Sequence, residues 1–339
     1  MNVLFVDHVC HQKTKSADFV LDVFRTRHEV RCHYYDCIYR CKVPKNLIEW
    51  ADVIVYWEFL PSRFACGVPG KRCVFVPMYD NEWGSKWQWR RLAMLGMNVI
   101  SFCRAVGDHA RNCGVKNVLD VRFAYDPALF VGRSGDSRKV ILWERGAVAF
   151  RSVKALFSPQ DIDKVIVVRR DEEGITYQPI SEEDQSLYHV EIKQGGFLPQ
   201  DEYYALLSEP GVYIAPRYAE GIGMAFLEQM AMGKCVIAHD APTMNEYLES
   251  GRTGILVDMR HPRRIATSEI SNVRENVRQA AQDAFENWQL DKKRIVAFFD
   301  ELKSMPLLRS PWSFLSIVYY LLYWLEGAMM RVRSVLVRK

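Results

Sequence analysis

Several features that would assign the chain to a class at once are absent from its sequence. The net charge is only +4 over 339 residues, whereas a dedicated nucleic-acid-binding protein carries a stronger and more clustered basic excess. No apolar run reaches the roughly 18–20 residues of a membrane-spanning helix. The first residues, MNVLFVDH, are strand-like and lack the charged and apolar regions of a secretory signal. We therefore expect a cytoplasmic globular protein with no nucleic-acid partner.

Signals for disulfides and for metal sites are also weak. The nine cysteines are an odd number in a long chain without a secretory signal, which favours reduced thiols. Cys32, Cys37 and Cys41 lie close together, but no second pair follows at the spacing of a zinc site. We expect no metal site and no bound cofactor.

Short apolar runs alternate with helix-like stretches along most of the chain. The runs are rich in Val, Ile and Phe and do not alternate with polar residues, which indicates strands buried on both faces, as in parallel sheets. They fall at 3–6, 53–57, 74–78, 99–102, 140–143, 165–168, 188–192, 212–215, 235–238 and 255–257. The pattern pauses at VGRSGDS, residues 131–137, which we interpret as a linker.

This alternation predicts an α/β protein with two doubly wound domains and a tail. We place the first domain at 1–133, the second at 138–304, and a return segment with the C-terminal tail at 305–339. Two such domains in tandem usually hold a ligand in a cleft between them, at the carboxyl ends of both sheets.

The tail differs in composition from the rest of the chain. Residues 312–325, WSFLSIVYYLLYWL, carry no charge. Four basic residues follow with no acid among them, namely Arg331, Arg333, Arg338 and Lys339. Aromatic content with a basic continuation is typical of an interfacial helix on an anionic cytoplasmic leaflet, so 312–339 is a candidate peripheral membrane contact. The alternative is a terminal helix that packs on the N-terminal domain.

Residues 215–258 carry the most informative pattern. A strand ends near Ala215, and a helix that carries Glu228 begins near Met224. The loop between them contains Glu220, Gly221, Ile222 and Gly223. Glycine lets backbone amides approach a ligand closely, and the free N–H groups of a helix N-terminus favour an anion. The pattern predicts a diphosphate site in which Glu228 accepts hydrogen bonds from sugar hydroxyls; the alternative for Glu228 is a solvated helix residue.

Seven residues separate Glu220 from Glu228, and this spacing resembles the E-x7-E motif of family 4, the large family of retaining glycosyltransferases with the GT-B fold. The likeness extends from FLPQDEYYALLSE through the EGIG loop to the MAMG end of the helix. Glu246 and Gly254 follow where the family has a glutamate and a glycine. The resemblance implies two Rossmann-like domains that face a central cleft. It also implies transfer of a sugar, with retention of configuration, from a nucleotide-diphosphate sugar donor.

The resemblance assigns roles to residues of the second domain. Glu228 would bind the ribose hydroxyls and Glu220 would lie beside the donor sugar, while Gly221, Ile222 and Gly223 would contact sugar and phosphate through backbone amides. No Asp-x-Asp triplet of the metal-dependent transferases follows a strand, so we expect catalysis without a divalent cation.

The family also clamps the donor pyrophosphate with an arginine and, about five residues later, a lysine. Arg145 fits the first position. Phe150 stands at the second, so the nearby cations Arg151 and Lys154 are the candidates. Such a cation would neutralise the charge that develops on the leaving diphosphate. We favour Arg151, and Lys154 is as readily explained as a surface residue.

The N-terminal domain resembles the family less closely. The loop after its first strand, DHVCHQKTKS, carries His8, His11 and Lys13 and is similar to the opening of a bacterial subset of these transferases. We interpret it as a site for acceptor or phosphate recognition. Tyr79 stands where the family often has a histidine close to the reacting sugar, and Asp80, which follows it, is either a base or the cap of the next helix.

The leading hypothesis is a glycosyltransferase that acts on a glycan or lipid-linked acceptor in bacterial surface-polysaccharide assembly. One alternative is a catalytically degenerate subunit that binds the nucleotide sugar as a scaffold, which Tyr79 and the displaced clamp favour. Another is a phosphorylase or epimerase of the same fold. A nicotinamide dehydrogenase is disfavoured, because no G-x-G-x-x-G follows the first strand.

Overall fold

The structure is a computed structural model. It describes residues 1–37, 41–60, 67–81, 85–145, 147–171, 176–196 and 198–337, with side chains as far as Met329. Internal contacts divide the chain into two compact units. Unit 1 comprises 1–122 together with 289–339, and unit 2 comprises 123–288.

Unit 1 contains a sheet of six parallel strands in the order β2-β1-β3-β4-β5-β6. Its strands are β1 (Asn2–His8), β2 (Glu29–Tyr35), β3 (Val53–Glu58), β4 (Arg72–Pro77), β5 (Asn98–Ser101) and β6 (Val118–Asp120). The helices between them are α1 (Val9–Thr14), α2 (Asp18–Arg25), α3 (Lys45–Trp50), α4 (Lys86–Leu95) and α5 (Arg104–Asn112). The central strands bury consecutive residues, which confirms the predicted parallel sheet with both faces covered.

The order of these strands creates a switch point between β1 and β3. The chain leaves β1 for β2 on one side and then returns to β3 on the other side. The connections that follow β1 and β3 therefore diverge, and a crevice opens at the carboxyl ends of these two strands.

Unit 2 contains a second sheet of six parallel strands, in the order β12-β11-β10-β7-β8-β9. The strands are β7 (Asp136–Glu144), β8 (Lys164–Arg170), β9 (Val190–Gly195), β10 (Pro210–Ile214), β11 (Cys235–His239) and β12 (Ile255–Val257). The helices are α6 (Phe150–Leu156), α7 (Glu182–Leu187), α8 (Gln200–Ser208), α9 (Met224–Ala231), α10 (Met244–Tyr247) and α11 (Thr267–Leu302), with short 3-10 turns at Pro127–Phe130 and Pro159–Asp161. Here the switch point lies between β7 and β10.

The helix α11 contributes to both units, because the boundary between residues 288 and 289 lies within its 36 residues. In unit 1, its residue Phe299 packs on Phe24 of α2, with ring centroids 4.7 Å apart. The other boundary between the units lies between residues 122 and 123. It precedes the glycine-bearing segment 131–137, which we interpreted from the sequence as a linker.

The last helix, α12 (Phe314–Val337), packs on α4 in unit 1. Arg91 of α4 is buried, and its Nε donates to Ser316 Oγ at 3.1 Å while its guanidinium lies over the ring of Tyr320. Ser85 donates to a carboxylate oxygen of Glu326 at 2.6 Å. The tail is thus a docked terminal helix along one face.

The opposite face of α12 is apolar and exposed. It presents Phe314, Leu315, Ile317, Leu321, Trp324 and Leu325, with Trp312 just before the helix. Throughout the residues that the structure describes, no helix is both long and apolar enough to cross a membrane.

Substitutions on the two faces of α12 should differ in their effect on the free energy of unfolding. Ser316→Leu should lower the free energy of unfolding by about 1–3 kcal/mol, because it overfills a buried contact and removes a hydrogen bond of Arg91. Phe314→Ser should change it by less than about 0.5 kcal/mol, because the ring is 83% exposed. Urea unfolding followed by tryptophan fluorescence measures both values. Equal effects of the two substitutions would contradict the docking of α12.

Candidate active site

The loop after β10 requires glycine where it enters α9. Gly223 occupies the N-cap position of α9 with φ +78°, in the left-handed region. A Cβ atom there would collide with the ring of Phe226, so no other residue fits without a rearrangement. The N-terminal amides of an eight-residue helix are thereby presented at the carboxyl end of the sheet.

Thr243 fixes the same loop from the other side, a contact that no sequence pattern indicates. Its buried hydroxyl donates to the carbonyl of Glu220 at 2.7 Å and lies 3.4 Å from the carbonyl of Gly221. Its backbone adopts φ +74° and ψ −63°, an unfavourable conformation for a β-branched residue. The glutamate loop is therefore held by a strained residue in the next βα connection.

Glu228 is buried on α9 and is not a solvated helix residue. Its Oε2 accepts a hydrogen bond from the hydroxyl of Tyr203 at 2.6 Å. Burial raises the pKa of Glu228, and hydrogen bonds from Tyr203 and Tyr204 partly oppose this effect. Nearby, burial lowers the pKa of Lys234 to about 7, against the pull of the Glu228 charge. The carboxylate is thus held in place by neutral hydroxyl donors.

Glu220 and Arg145 lie at the switch point of unit 2, after β10 and β7 respectively. The side chain of Glu220 is half-buried, with Arg217 Nη1 3.9 Å from its Oε2. Burial raises the pKa of Tyr213, at the end of β10; the charge of Glu220 adds to the rise and that of Arg145 opposes it. The charges of Glu220 and Arg145 therefore both influence the pKa of the buried Tyr213 hydroxyl.

Glu144, the last residue of β7, anchors the connection that carries Arg145. It is buried, and it accepts hydrogen bonds from Arg169 Nε at 2.6 Å and from the backbone N–H of Phe150 at 3.2 Å. One carboxylate therefore joins β8 and the start of α6 to the end of β7. An acid directly before Arg145 was the only sequence signal for this contact.

The two remaining clamp candidates are both exposed on α6 but differ in their contacts. Arg151 Nη2 lies 3.5 Å from the carbonyl of Ala147, in the connection that Arg145 begins. Lys154 instead forms an ion pair of 2.8 Å with Asp184 on α7. Phe150 is buried at the start of the helix. Arg151 therefore remains our prediction for the second position.

In unit 1, His11 lies between two carboxylates at the β1/β3 switch point. Its Nδ1 donates to Asp7 Oδ1 at 2.6 Å and its Nε2 donates to Glu58 Oε2 at 3.0 Å. Burial lowers the pKa of His11, but the hydrogen bonds and charges of Asp7 and Glu58 outweigh it and raise the pKa to about 9. At neutral pH the ring is an imidazolium. Sequence reasoning found His11 but neither carboxylate.

The other predicted residues of the first loop are more peripheral. His8 Nδ1 accepts the N–H of Cys10 and so caps α1, and its Nε2 donates to the carbonyl of Asp36 at 3.1 Å. Lys13 is exposed on α1. No group of three or more His, Cys, Asp or Glu side chains suited to a metal ion occurs among the residues that the structure describes.

Tyr79 and Asp80 follow β4 and are half-buried. Tyr79 packs against the core of unit 1, and burial raises the pKa of its hydroxyl. The next described helix begins at Lys86 with Ser85 at its N-cap, so Asp80 does not cap it. The following residue, Asn81, donates its side-chain amide to Glu58 Oε1. The loop is thereby connected to the His11 cluster.

The second unit resembles a known protein family. Residues 128–273, which make up most of unit 2, match the family model described as Glycosyl transferases group 1. No curated protein matches the sequence.

Solved structures match nearly the whole chain. HepE of Anabaena in complex with UDP and glucose is 13% identical, with a TM-score of 0.58 over 89% of this chain and 100% of that one. Sucrose-phosphate synthase of Thermosynechococcus elongatus is 11% identical, with a TM-score of 0.61 over 90% and 99%. The lipopolysaccharide outer core galactosyltransferase WaaB is 9% identical, with a TM-score of 0.56 over 89% and 99%. These matches establish the GT-B fold.

The chain has the GT-B fold, and most of unit 2 matches the model of glycosyl transferases group 1.

The imidazolium of His11 predicts a pH-dependent contribution to stability. The folded-state pKa lies above the unfolded value of about 6.5, so the stabilisation is complete below pH 6.5 and is lost as the pH rises through about 9. The difference in unfolding free energy between the wild type and His11→Gln should shrink by roughly 3 kcal/mol over that range. Urea unfolding at several pH values measures it. His261→Gln, at an exposed imidazole, is the control, and parallel wild-type and His11→Gln curves would contradict the prediction.

Proposed function

We propose that the protein transfers a sugar, with retention of configuration, from a nucleotide-diphosphate sugar to a glycan or lipid-linked acceptor. The observation that carries the proposal is the arrangement at the β7/β10 switch point. The Glu220–Gly223 loop, the N-terminus of α9, the buried Glu228 and Arg145 all belong to the same edge of one sheet.

The chemistry of this edge fits a donor of that type. The amides of α9 and the cations Arg145 and Arg151 favour a diphosphate, whose negative charge grows as the sugar leaves. Glu228 is an ionisable acceptor buried beside Tyr203, suited to the two hydroxyls of a ribose. HepE, which shares the fold, has been solved with UDP and glucose, so UDP-sugars are the first candidates.

Retention sets the geometry of the transfer. The bond between the anomeric carbon and the diphosphate oxygen breaks, and the acceptor oxygen bonds to that carbon on the same face. The departing oxygen is then next to the acceptor hydroxyl and can take its proton. A strong protein base is not needed, which agrees with a tyrosine at position 79. We propose that Glu220 contacts the donor sugar and that Arg145 neutralises the diphosphate. Asp80 is the candidate for a base if the reaction uses one.

The exposed face of α12 supports an acceptor at a membrane surface. Aromatic and aliphatic side chains line that face, and the exposed cations Lys86 and Arg90 lie over the ring of Trp87, which contacts Tyr319 of α12. An apolar surface beside basic groups binds anionic lipid headgroups. We place the protein at the inner face of the cytoplasmic membrane, in surface-polysaccharide assembly; WaaB, of the same fold, acts on the lipopolysaccharide outer core.

One observation favours a second candidate function. Tyr79 and Phe150 occupy positions where the family has a histidine and a lysine. A subunit that binds the nucleotide sugar without turnover would tolerate both replacements. Donor binding with no transfer or hydrolysis identifies this alternative.

The donor site can be tested by calorimetric titration with UDP-, GDP-, ADP-, TDP- and CMP-sugars. We expect selective binding by the wild type, equal in EDTA and in magnesium. Glu228→Ala should weaken binding at least tenfold, because a hydrogen bond to a charged group contributes roughly 1.5–3 kcal/mol. Glu249→Ala, at an exposed carboxylate paired with Arg252, is the matched control. Unchanged affinity in a folded Glu228→Ala protein, or no binding of any sugar nucleotide, would overturn the assignment.

The membrane contact can be tested with a pair of leucines of similar exposure. Leu321 on α12 is 52% exposed, and Leu290 on α11 is 56% exposed. Leu321→Ser should reduce sedimentation with phosphatidylglycerol-containing vesicles severalfold, and Leu290→Ser should leave it unchanged. High salt should weaken binding, because the basic groups contribute. Equal sedimentation of both variants with the wild type would reject the α12 surface as the contact.

A further inference from the structure

Four side chains form a continuous polar chain across unit 1, outside the segment that matches the family model. Asp7 lies at the end of β1, Glu58 ends β3, and Asn81 follows β4, so three neighbouring strands contribute. His11 on α1 joins the first two, and Asn81 donates to Glu58. The cluster sits at the β1/β3 switch point, where a doubly wound sheet binds its ligand.

The cluster runs from the core toward the surface. The Asp7 side chain is 1% exposed, His11 is 15% exposed and Glu58 is 19% exposed. Asp7 is fixed by His11 and by the backbone N–H of His8, and the imidazolium then fixes one oxygen of Glu58. Asn81 fixes the other oxygen. Glu58 is therefore a carboxylate of set orientation at the outer end of the chain.

The backbone at Glu58 is unfavourable for a residue with a side chain. Its φ is +64°, and the N–H of Phe59 donates to the carbonyl of Trp57 at 2.7 Å, which makes Glu58 the centre of a γ-turn. Glycine would adopt this turn more readily. Strained residues of this kind cluster where a side chain must be held in one direction for binding.

The remaining hydrogen-bonding capacity suits hydroxyl groups. An ionised carboxylate has about four lone-pair sites, and His11 and Asn81 use two of those on Glu58. The amide of Asn81 can both donate and accept, as a sugar hydroxyl does. Both ring N–H groups of His11 are used by Asp7 and Glu58, so the cation of the cluster is not available to a phosphate.

We propose that Glu58 and Asn81 bind hydroxyl groups of the acceptor sugar, and that Asp7 and His11 are positioning residues for Glu58. This inference rests on the proposed function, since it concerns the acceptor of the same reaction. It replaces the broader expectation that the first loop recognises either an acceptor or a phosphate.

The test is saturation-transfer NMR on the full-length protein with a panel of methyl glycosides of glucose, galactose, mannose and rhamnose. We expect a signal from at least one sugar, reduced at least fivefold in both Glu58→Gln and Asn81→Ala. Glu49→Gln, at an exposed carboxylate paired with Lys45, should retain the signal, as should Glu220→Gln in unit 2. The affinity of Glu58→Gln for the sugar nucleotide should equal that of the wild type.

A second measurement separates positioning from a merely structural role. The ring-proton resonance of His11 should shift on addition of the sugar in the wild type and not in Glu58→Gln, although both proteins are folded. Inorganic phosphate should not produce the shift. A Glu58-dependent shift with phosphate would overturn the inference.

The remaining outcomes are decisive as well. A signal lost only in Glu220→Gln would place the sugar in unit 2 and refute the acceptor site. Absence of any signal in a protein that binds a sugar nucleotide would also refute it and would leave the donor function standing. Failure to bind every sugar nucleotide would instead refute the proposed function itself.

Discussion

The parallel pairing of β10 with β7 is the interaction on which the site in unit 2 depends. Val212, Tyr213 and Ile214 lie in register with Val140, Ile141 and Leu142, so the carboxyl ends of both strands lie on the same side of the sheet. Residues that follow the two strands are far apart in sequence but close in space. The pairing thereby brings Arg145 and the loop of Glu220 to one edge.

In each unit, one residue in a γ-turn conformation lies at the carboxyl ends of the strands. Thr243 in unit 2 binds the carbonyls of the glutamate loop, and Glu58 in unit 1 carries a carboxylate fixed by His11. The two sites differ in how they hold buried charge. Glu228 is surrounded by hydroxyl donors, whereas Asp7 and Glu58 share a cation.

The parts of the structure that the sequence predicted are those with local signals. Consecutive apolar residues indicate buried strands, and the Glu220–Gly223 loop precedes its helix directly, so the fold class and the placement of this loop are confirmed. The partners of His11 had no local signal, because Glu58 becomes its neighbour only through the order of strands. The contact between Thr243 and the Glu220 loop had no local signal for the same reason. For the tail, the composition indicated the apolar, exposed face of α12. The contacts of its other face with α4 are seen only in the structure.

The split of unit 1 has a consequence for biosynthesis. Unit 2 is a continuous stretch, 123–288, whereas the sheet of unit 1 emerges before it and α12 emerges after it. At roughly 5–20 residues per second, a ribosome takes on the order of 10–40 s to pass from the end of that sheet to the end of α12. During this interval α4 lacks the packing that α12 provides. The second unit can thus finish folding before the first.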